Sequence, residues 1–277
     1  MPELPEVETV RRRLEPLVVG AKITDVTIVD PRLTRPEDPM VVAAELLGER
    51  FAEVGRRGKY LLLRLTSGRT LIVHLRMTGS WSHSARGKLP EDAYRRATLR
   101  LSNRIDLAYR DVRRFGTWLL LEPEEEASYL ASRLGPEPLS SAFSAKALGI
   151  ALAGRQAPVK SVLLDQRRVA GVGNIYADEA LWRARIAPRR AAGELTPSEV
   201  AALRKTVRAV LRRGIELQGS TLRDYVTPDG EYGGMQNEFS VYGRQGEPCP
   251  RCKTPIERDV IGGRGTWSCP QCQPRVS

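Results

Sequence analysis

The chain opens Met1-Pro-Glu-Leu-Pro-Glu-Val-Glu-Thr-Val10 and runs on through Arg11-Arg-Arg-Leu14-Glu-Pro-Leu17. Val7, Val10, Leu14 and Leu17 recur every three or four residues, the spacing of one apolar helix face. Pro5 suits a first helical turn, the early glutamates favour its positive end, and Gly20 can stop it. The spacing therefore predicts a helix from Pro5 to Leu17 that docks on the core following it. Such a helix accounts for Pro5 and Glu6. Pro2 and Glu3 lie ahead of it and call for another reason.

The next hundred residues read as short strands: Ile23–Val29, Tyr60–Leu65, Thr70–Leu75 across the Ser67-Gly68 turn, Thr98–Leu101, Ile105–Tyr109 and Thr117–Leu121. Short strands broken by turn signals suggest an antiparallel sandwich or barrel. Composition changes at Glu122-Pro-Glu-Glu-Glu126, and Gly135-Pro-Glu-Pro138 reads as a hinge. Beyond it the pattern is helical. Thr196-Pro-Ser-Glu199 is a capping box opening a helix to about Leu217, and Asn174 is placed to cap another running through Trp182. The Gly- and Tyr-rich stretch from Gly219 to Gly246 is expected to be a mobile loop. No fixed-period repeat is present.

All four cysteines lie late, as Cys249-Pro-Arg-Cys252 and, sixteen residues on, Cys269-Pro-Gln-Cys272. A disulfide framework would spread them through the fold; two C-x2-C turns instead aim four thiolates at one tetrahedral zinc in a reducing compartment. Four thiolates leave no open position, so the metal is structural. Between the pairs, Ile256–Ile261 and Thr266–Ser268 read as a hairpin with Arg264 at its tip, either a phosphate contact or a solvated turn residue.

Charge points to the partner. The chain has 44 basic and 33 acidic side chains, a net charge of +11, and should attract a polyanion. The basic residues come in runs such as Arg11-Arg12-Arg13, Arg95-Arg96 and Arg113-Arg114 rather than one tail, so a folded basic surface is expected. Only seven are lysines, which also fits a plain preference for arginine. No apolar run approaches the roughly 18 residues of a membrane helix. The acidic start lacks the apolar core of a signal peptide, and the cytoplasm is the expected compartment.

A small residue after Met1 permits removal of the methionine, which would free the secondary amine of Pro2. An α-amine has a pKa near 8, so roughly a tenth is unprotonated at pH 7. Such an amine can attack a sugar C1′, displace the base and leave an iminium. Glu3 could protonate the leaving base or the opening sugar ring. Lys59, at the entrance of a buried strand, is a phosphate ligand or proton donor, or else an ordinary exposed charge. Met77 in Leu75-Arg-Met-Thr-Gly79 and Phe115 in Arg113-Arg-Phe-Gly116 suit loops that wedge into a base stack. Taken alone, each is more often a core residue.

Together these stretches resemble the formamidopyrimidine-DNA glycosylase family over nearly the whole chain. The resemblance rests on Pro2-Glu-Leu-Pro-Glu-Val-Glu-Thr9, Gly58-Lys-Tyr60, His74-Leu-Arg-Met-Thr-Gly79 and Arg113-Arg-Phe-Gly116. It continues through Leu134-Gly-Pro-Glu-Pro-Leu139, Gly171-Val-Gly-Asn-Ile-Tyr-Ala-Asp-Glu179, Val241-Tyr-Gly-Arg244 and Gly263-Arg-Gly265. It implies an α+β fold of two domains: an antiparallel β-sandwich led by the nucleophile's helix, then a helical domain with a helix–two-turn–helix and the zinc hairpin. The expected boundaries are 1–130, 131–240 and, for the zinc finger, 241–277.

The implied activity is removal of oxidised purines (8-oxoguanine, formamidopyrimidines) from duplex DNA, followed by β,δ-elimination at the abasic site. By resemblance, Pro2 is the nucleophile, Glu3 the acid/base and Lys59 the proton donor in strand cleavage. Arg264 and Asn174 grip phosphates around the flipped sugar, and Arg155 makes a further phosphate contact. Met77, Arg113 and Phe115 fill the gap left by the extruded base. Tyr94 stands where the family usually has a DNA-contacting histidine, and the loop from Thr221 to Phe239 shapes the base pocket. The implied protein is a monomer with one structural Zn2+, bacterial, cytoplasmic and nucleoid-associated, with no membrane partner. Two rivals remain: an endonuclease VIII-like enzyme for oxidised pyrimidines, whose start usually has Gly in place of Leu4, and a non-catalytic DNA-binding zinc protein.

Overall fold

The computed structural model of the chain describes residues 1–274. Packing divides it into two compact units. One is Met1–Leu130 together with the excursion Leu217–Gly234; the other is Ala131–Glu216 together with the chain from Met235 onward. The excursion lies inside the expected 131–240 stretch but packs with the first unit.

In chain order the first unit contains α1 (Leu4–Val18), β1 (Ile23–Ile28), α2 (Pro39–Leu46), β2 (Phe51–Arg57), β3 (Tyr60–Leu65), β4 (Thr70–His74), β5 (Gly79–Ala85), β6 (Arg95–Leu101), β7 (Ile105–Asp111) and β8 (Thr117–Leu121), and α3 (Pro123–Ala131) follows. Two antiparallel four-stranded sheets, ordered β1-β6-β7-β5 and β2-β3-β4-β8, form the sandwich. The interior strands are the most apolar: every residue of β4 is buried. The two strands absent from the sequence reading show why they escaped it. β2 buries only Phe51 and Val54, and β5 is Gly-Ser-Trp-Ser-His-Ser-Ala, with Trp81 its one large inward side chain.

Trp81 stacks on Trp118 at 5.2 Å, and Tyr109 meets both edge-on at 5.2 and 5.4 Å. These rings bury a large apolar area where the two sheets face each other. α1 closes one end, with Val7, Val10, Leu14 and Val18 in the same core. Its first half is not amphipathic, since every residue from Pro2 to Val10 is buried. Gly20 at φ +80° ends the helix as expected.

The second unit holds α4 (Ala145–Leu152), α5 (Val159–Leu164), α6 (Asn174–Ala184), α7 (Pro197–Glu216), β9 (Glu257–Ile261) and β10 (Arg264–Ser268). α7 opens on the expected capping box: Thr196 N–H donates to Glu199 Oε2 at 2.8 Å and Glu199 N–H to Thr196 Oγ1 at 3.3 Å. α6 is buried from Ile175 to Trp182, acids included. Glu179 accepts the backbone N–H groups of Ser240, Val241 and Tyr242 at 2.9–3.0 Å. Asp178 pairs with Lys160 at 2.7 Å, both side chains fully buried, and also accepts Trp267 N–H at 3.0 Å. Buried charges persist only when satisfied in this way, because isolated they cost several kcal/mol each.

Gly79 is a test of the sandwich packing. A β-carbon there would meet Leu75 Cα at 2.9 Å and collide with the Tyr109 hydroxyl. Gly79→Ala is expected to cost roughly 1–3 kcal/mol, the usual range for overpacking, read as a lower denaturant midpoint for the first unit.

Candidate active site

The chain terminus is pinned rather than frayed. Glu3 is the N-cap of α1, and Glu3 and Glu6 form a reciprocal capping box. Glu6 Oε2 accepts Glu3 N–H at 2.8 Å, while the Glu3 carboxylate turns back to the N–H of Glu6. The sequence reading that left Glu3 outside the helix's needs is corrected: capping accounts for one of its tasks. Pro2 is buried behind it, and Met1 is 48% exposed. In the chain as translated the Pro2 nitrogen is in peptide linkage to Met1.

Met1 lies at a cavity of about 670 Å³ whose lining includes Arg32, Arg35, Arg76, Met77, Arg114 and Phe115. The Met77 and Phe115 loops therefore converge, beside the chain start and among four arginines. Each loop carries an arginine in the left-handed region, Arg76 at φ +52° and Arg114 at φ +59°. Non-glycine residues take that conformation only where the surroundings impose it. His74 Nδ1 accepts Arg76 N–H at 2.9 Å, and Arg114 Nη2 donates to buried Asp30 at 2.8 Å. The Arg114 guanidinium holds the Asp30 carboxyl below the usual carboxylate range.

Asp111 ties the loops together. Its carboxylate accepts Thr78 Oγ1–H at 2.5 Å and Gly116 N–H at 2.7 Å, and Thr78 Oγ1 accepts Arg113 N–H at 2.9 Å. Arg113 then lies 4.8 Å over the ring of Phe115, which is 53% exposed. The guanidinium covers one side of the ring and leaves apolar surface exposed.

Lys59 is buried, with 4% exposed, which removes the exposed-charge reading. It occupies the second position of the tight turn joining β2 to β3, after Gly58 at φ +58°. Burial, reinforced by the charges of Arg76 and Lys59, pushes the neighbouring His74 imidazole down to about 3. Tyr94 is 43% exposed, and Arg110 and Arg96 lie 5.0 and 5.8 Å from its ring. The charge a histidine could carry there is supplied by arginines.

In the second unit, Asn174 does not cap α6. Gly173 is the N-cap, and Asn174 Nδ2 donates to Gly265 O at 2.9 Å. Lys160 Nζ donates to the same oxygen at 2.9 Å and to Thr266 Oγ1 at 2.8 Å. The β9–β10 turn is the two-residue Gly262-Gly263, at φ +56° and +72°, so Arg264 is not at the tip. It is the first residue of β10, opposite Ile261, and it is exposed beside the doubly held Gly265 carbonyl. Arg155 Nε donates to Ala151 O at 2.7 Å. Lys160, Asp178 and Asp111 are the residues that sequence reasoning missed; for Lys160 and Asp178 a charge inside a largely apolar run was the available signal, while Asp111 sits among arginines and offered none.

The four cysteine sulfurs lie within 4.8 Å of one another, with Cys252–Cys269 at 3.3 Å and Cys249–Cys272 at 3.9 Å. Those separations are too long for disulfides. They surround the value of about 3.8 Å that a tetrahedral zinc with 2.3 Å Zn–S bonds requires. The donor set fits the ion.

Three family models match in series: the formamidopyrimidine-DNA glycosylase N-terminal domain at residues 1–118, the formamidopyrimidine-DNA glycosylase H2TH domain at 134–226, and the zinc finger found in FPG and IleRS at 246–275. The chain belongs to the formamidopyrimidine-DNA glycosylase family. The enzyme of that name from Thermus thermophilus is 48% identical, with 99% of this chain and 98% of that protein covered. The one from Symbiobacterium thermophilum is 47% identical, covering 99% and 90%. Among solved structures, a Lactococcus lactis Fpg mutant bound to Fapy-dG-containing DNA superposes with a TM-score of 0.93 at 39% identity, covering 99% and 100% of the two chains. The four cysteines hold one structural zinc.

Two outcomes test these assignments. Elemental analysis should find one zinc per chain, and a strong chelator should remove it with loss of the β9–β10 amide protection, because ligand and fold form together. His74 gives a pH signature. Its folded value near 3 lies below the unfolded value near 6.5, so as pH falls through 6.5 the unfolded chain takes a proton that the folded one refuses. From pH 7 to pH 5 that costs about 2 kcal/mol. His74→Asn should lose about that much less over the same interval in urea unfolding.

Proposed function

We infer that the chain is a bifunctional base-excision repair enzyme that removes oxidised purines, 8-oxoguanine and formamidopyrimidines, from duplex DNA and then acts as an abasic-site lyase. The observation that carries the reading is the chain start at a cavity shared with Met77 and Phe115 and rimmed by arginines. A nucleophile at C1′ and residues that hold an extruded nucleotide's place must lie close together for base flipping to be productive. The Lactococcus relative is solved with both Fapy-dG and abasic DNA.

Met1 is removed, freeing the Pro2 amine; Met1's exposure supports access by a peptidase. The amine's lone pair attacks C1′ of the flipped nucleotide, the glycosidic bond breaks, and the base leaves with a proton for which Glu3 is the source. Loss of the remaining N–H proton leaves a neutral aminal; its nitrogen lone pair then breaks the C1′–O4′ bond, O4′ takes up a proton, and the opened sugar is held as an iminium. Abstraction of a C2′ proton then expels the 3′ phosphate, and a second elimination expels the 5′ phosphate, with Lys59 supplying protons. Arg264, Asn174 and Arg155 contact phosphates, Arg113 faces the orphaned base, and Tyr94 donates to the backbone. Burial of Lys59 supports its role as a positioned donor rather than a surface counter-ion. We further infer a monomer working in the cytoplasm on the nucleoid. Among the described residues no helix is long and apolar enough to cross a membrane.

Borohydride trapping with an 8-oxoguanine duplex is the direct test: the Met1-processed protein should form one covalent adduct, and absence of an adduct sinks the mechanism. Glu3→Gln keeps a carbonyl oxygen for the capping box, so it isolates the proton from the cap. It should lower base excision by about 10²-fold or more while leaving salt-sensitive duplex binding intact.

A further inference from the structure

The excursion Leu217–Gly234 is closed at its neck and held at two places on α1. At the neck, Gly234 N–H donates to Leu217 O at 2.8 Å and Ser220 bridges to Gly234. Its root packs on the first turn of α1. Glu6 Oε1 accepts Ser220 N–H at 2.8 Å, while the other oxygen of the same carboxylate holds Glu3. Tyr225 is buried in the sandwich core and donates to Gln218 O at 3.0 Å. The far end is a small turn, with Thr227 N–H to Glu231 O at 2.9 Å and Gly230 N–H to Thr227 O at 2.9 Å.

That far end is held by burial of Thr227 and Pro228 and, at its exposed acids, by charge. Arg13, in the middle of α1, reaches Glu231 Oε2 at 2.7 Å and Asp229 Oδ2 at 3.3 Å. The same guanidinium donates to Gln218 Oε1 at 3.0 Å, so one side chain spans root and tip. His83 of β5 adds a contact to Asp229 Oδ1 at 3.0 Å. The Arg11-Arg12-Arg13 run, read from sequence as part of a basic surface, is divided by the fold. Arg11 and Arg12 are engaged with Glu8 and Arg11 also with Glu15, which leaves Arg13 for the loop.

We propose that Arg13 is a positioning residue for base recognition: it latches the Leu217–Gly234 loop to the helix that carries the reactive terminus, and so sets how well a damaged base is held for excision. The proposal rests on the base-excision reading above. It follows that the latch matters only to a substrate that still has its base. An abasic strand presents nothing for the loop to hold and needs only the terminus and the elimination chemistry.

The test compares single-turnover excision of 8-oxoguanine with cleavage of a preformed abasic duplex, both at saturating enzyme. Arg13→Gln should slow excision about threefold to tenfold, the scale of two partly exposed ion pairs, and leave abasic cleavage unchanged. Asp229→Asn combined with Glu231→Gln should slow excision likewise, and adding Arg13→Gln should bring no further loss. Those acid substitutions make the protein more basic, so a mere change in DNA attraction would move excision the opposite way. Backbone amides of residues 219–233 should exchange faster with solvent in Arg13→Gln. Unchanged excision, equal loss of both activities, or unchanged exchange overturns the latch. If the unaltered protein excises no oxidised purine, the functional reading fails instead, and the exchange measurement alone still decides whether Arg13 holds the loop.

Discussion

A single carboxylate, that of Glu6, is the constraint on which the arrangement of the first unit's working end depends. It lies 2% exposed, and its two oxygens face in different directions along the chain. One takes the N–H of Glu3 and fixes the first turn of α1; the other takes the N–H of Ser220 and fixes the root of a loop more than two hundred residues away in sequence. A buried carboxylate is tolerated only with its lone pairs occupied, so the terminus and the loop stabilise the same group. Chain ends ordinarily fray because nothing offsets the entropy of ordering them. Here the α1 residues Leu4, Val7 and Val10 sink into apolar surroundings, and the capping box closes the turn above them.

Glu8, two residues on, is satisfied in a similar way. Burial alone would raise its carboxyl, but hydrogen bonds from Arg11, Arg12 and Arg56 hold it below the usual range. Three guanidiniums on one carboxylate tie α1 to β2 through Arg56. Elsewhere in the unit, Asp111 does for the Met77 and Phe115 loops what Glu6 does for the terminus. In the second unit the Lys160–Asp178 pair and Asn174 hold the strand that begins with Arg264. In each case a polar side chain bonds across to a separate segment, which fixes the two segments relative to each other as apolar packing alone does not.

The features with a strong local signature were legible in the sequence. The α1 spacing, the β3–β4 hairpin, the α7 capping box and the paired C-x2-C turns are local patterns, and each has its own physical signature within a dozen or so residues. What was illegible had a weak local signature. β5 carries one inward tryptophan among serines and a histidine, and β2 carries charge and glycine along much of its length; both become strands because neighbouring strands complete their hydrogen bonds. The turn after Ile261 was assigned two residues too long, since nothing short of the strand register shows that Arg264 and Gly265 pair. Asn174 looked like a cap because asparagine favours that position, but the Gly265 carbonyl claims its side chain instead.

The sequence by itself determined the family, the metal and the chemical types at the site: a proline behind the initiator methionine, four thiolates at zinc spacing, a lysine at a strand entrance, and apolar residues set among arginines. These follow from residue identity and short spacing, which the chain carries wherever it folds. The tertiary structure decided which of those residues meet. It brought Met77 and Phe115 to one cavity beside the chain start, buried Lys59, turned Glu3 into a helix cap and divided one arginine run between a carboxylate on its own helix and a distant loop. Such choices depend on hydrogen bonds and burial between segments far apart in sequence, and they exist only once the sandwich and the hairpin have closed around them.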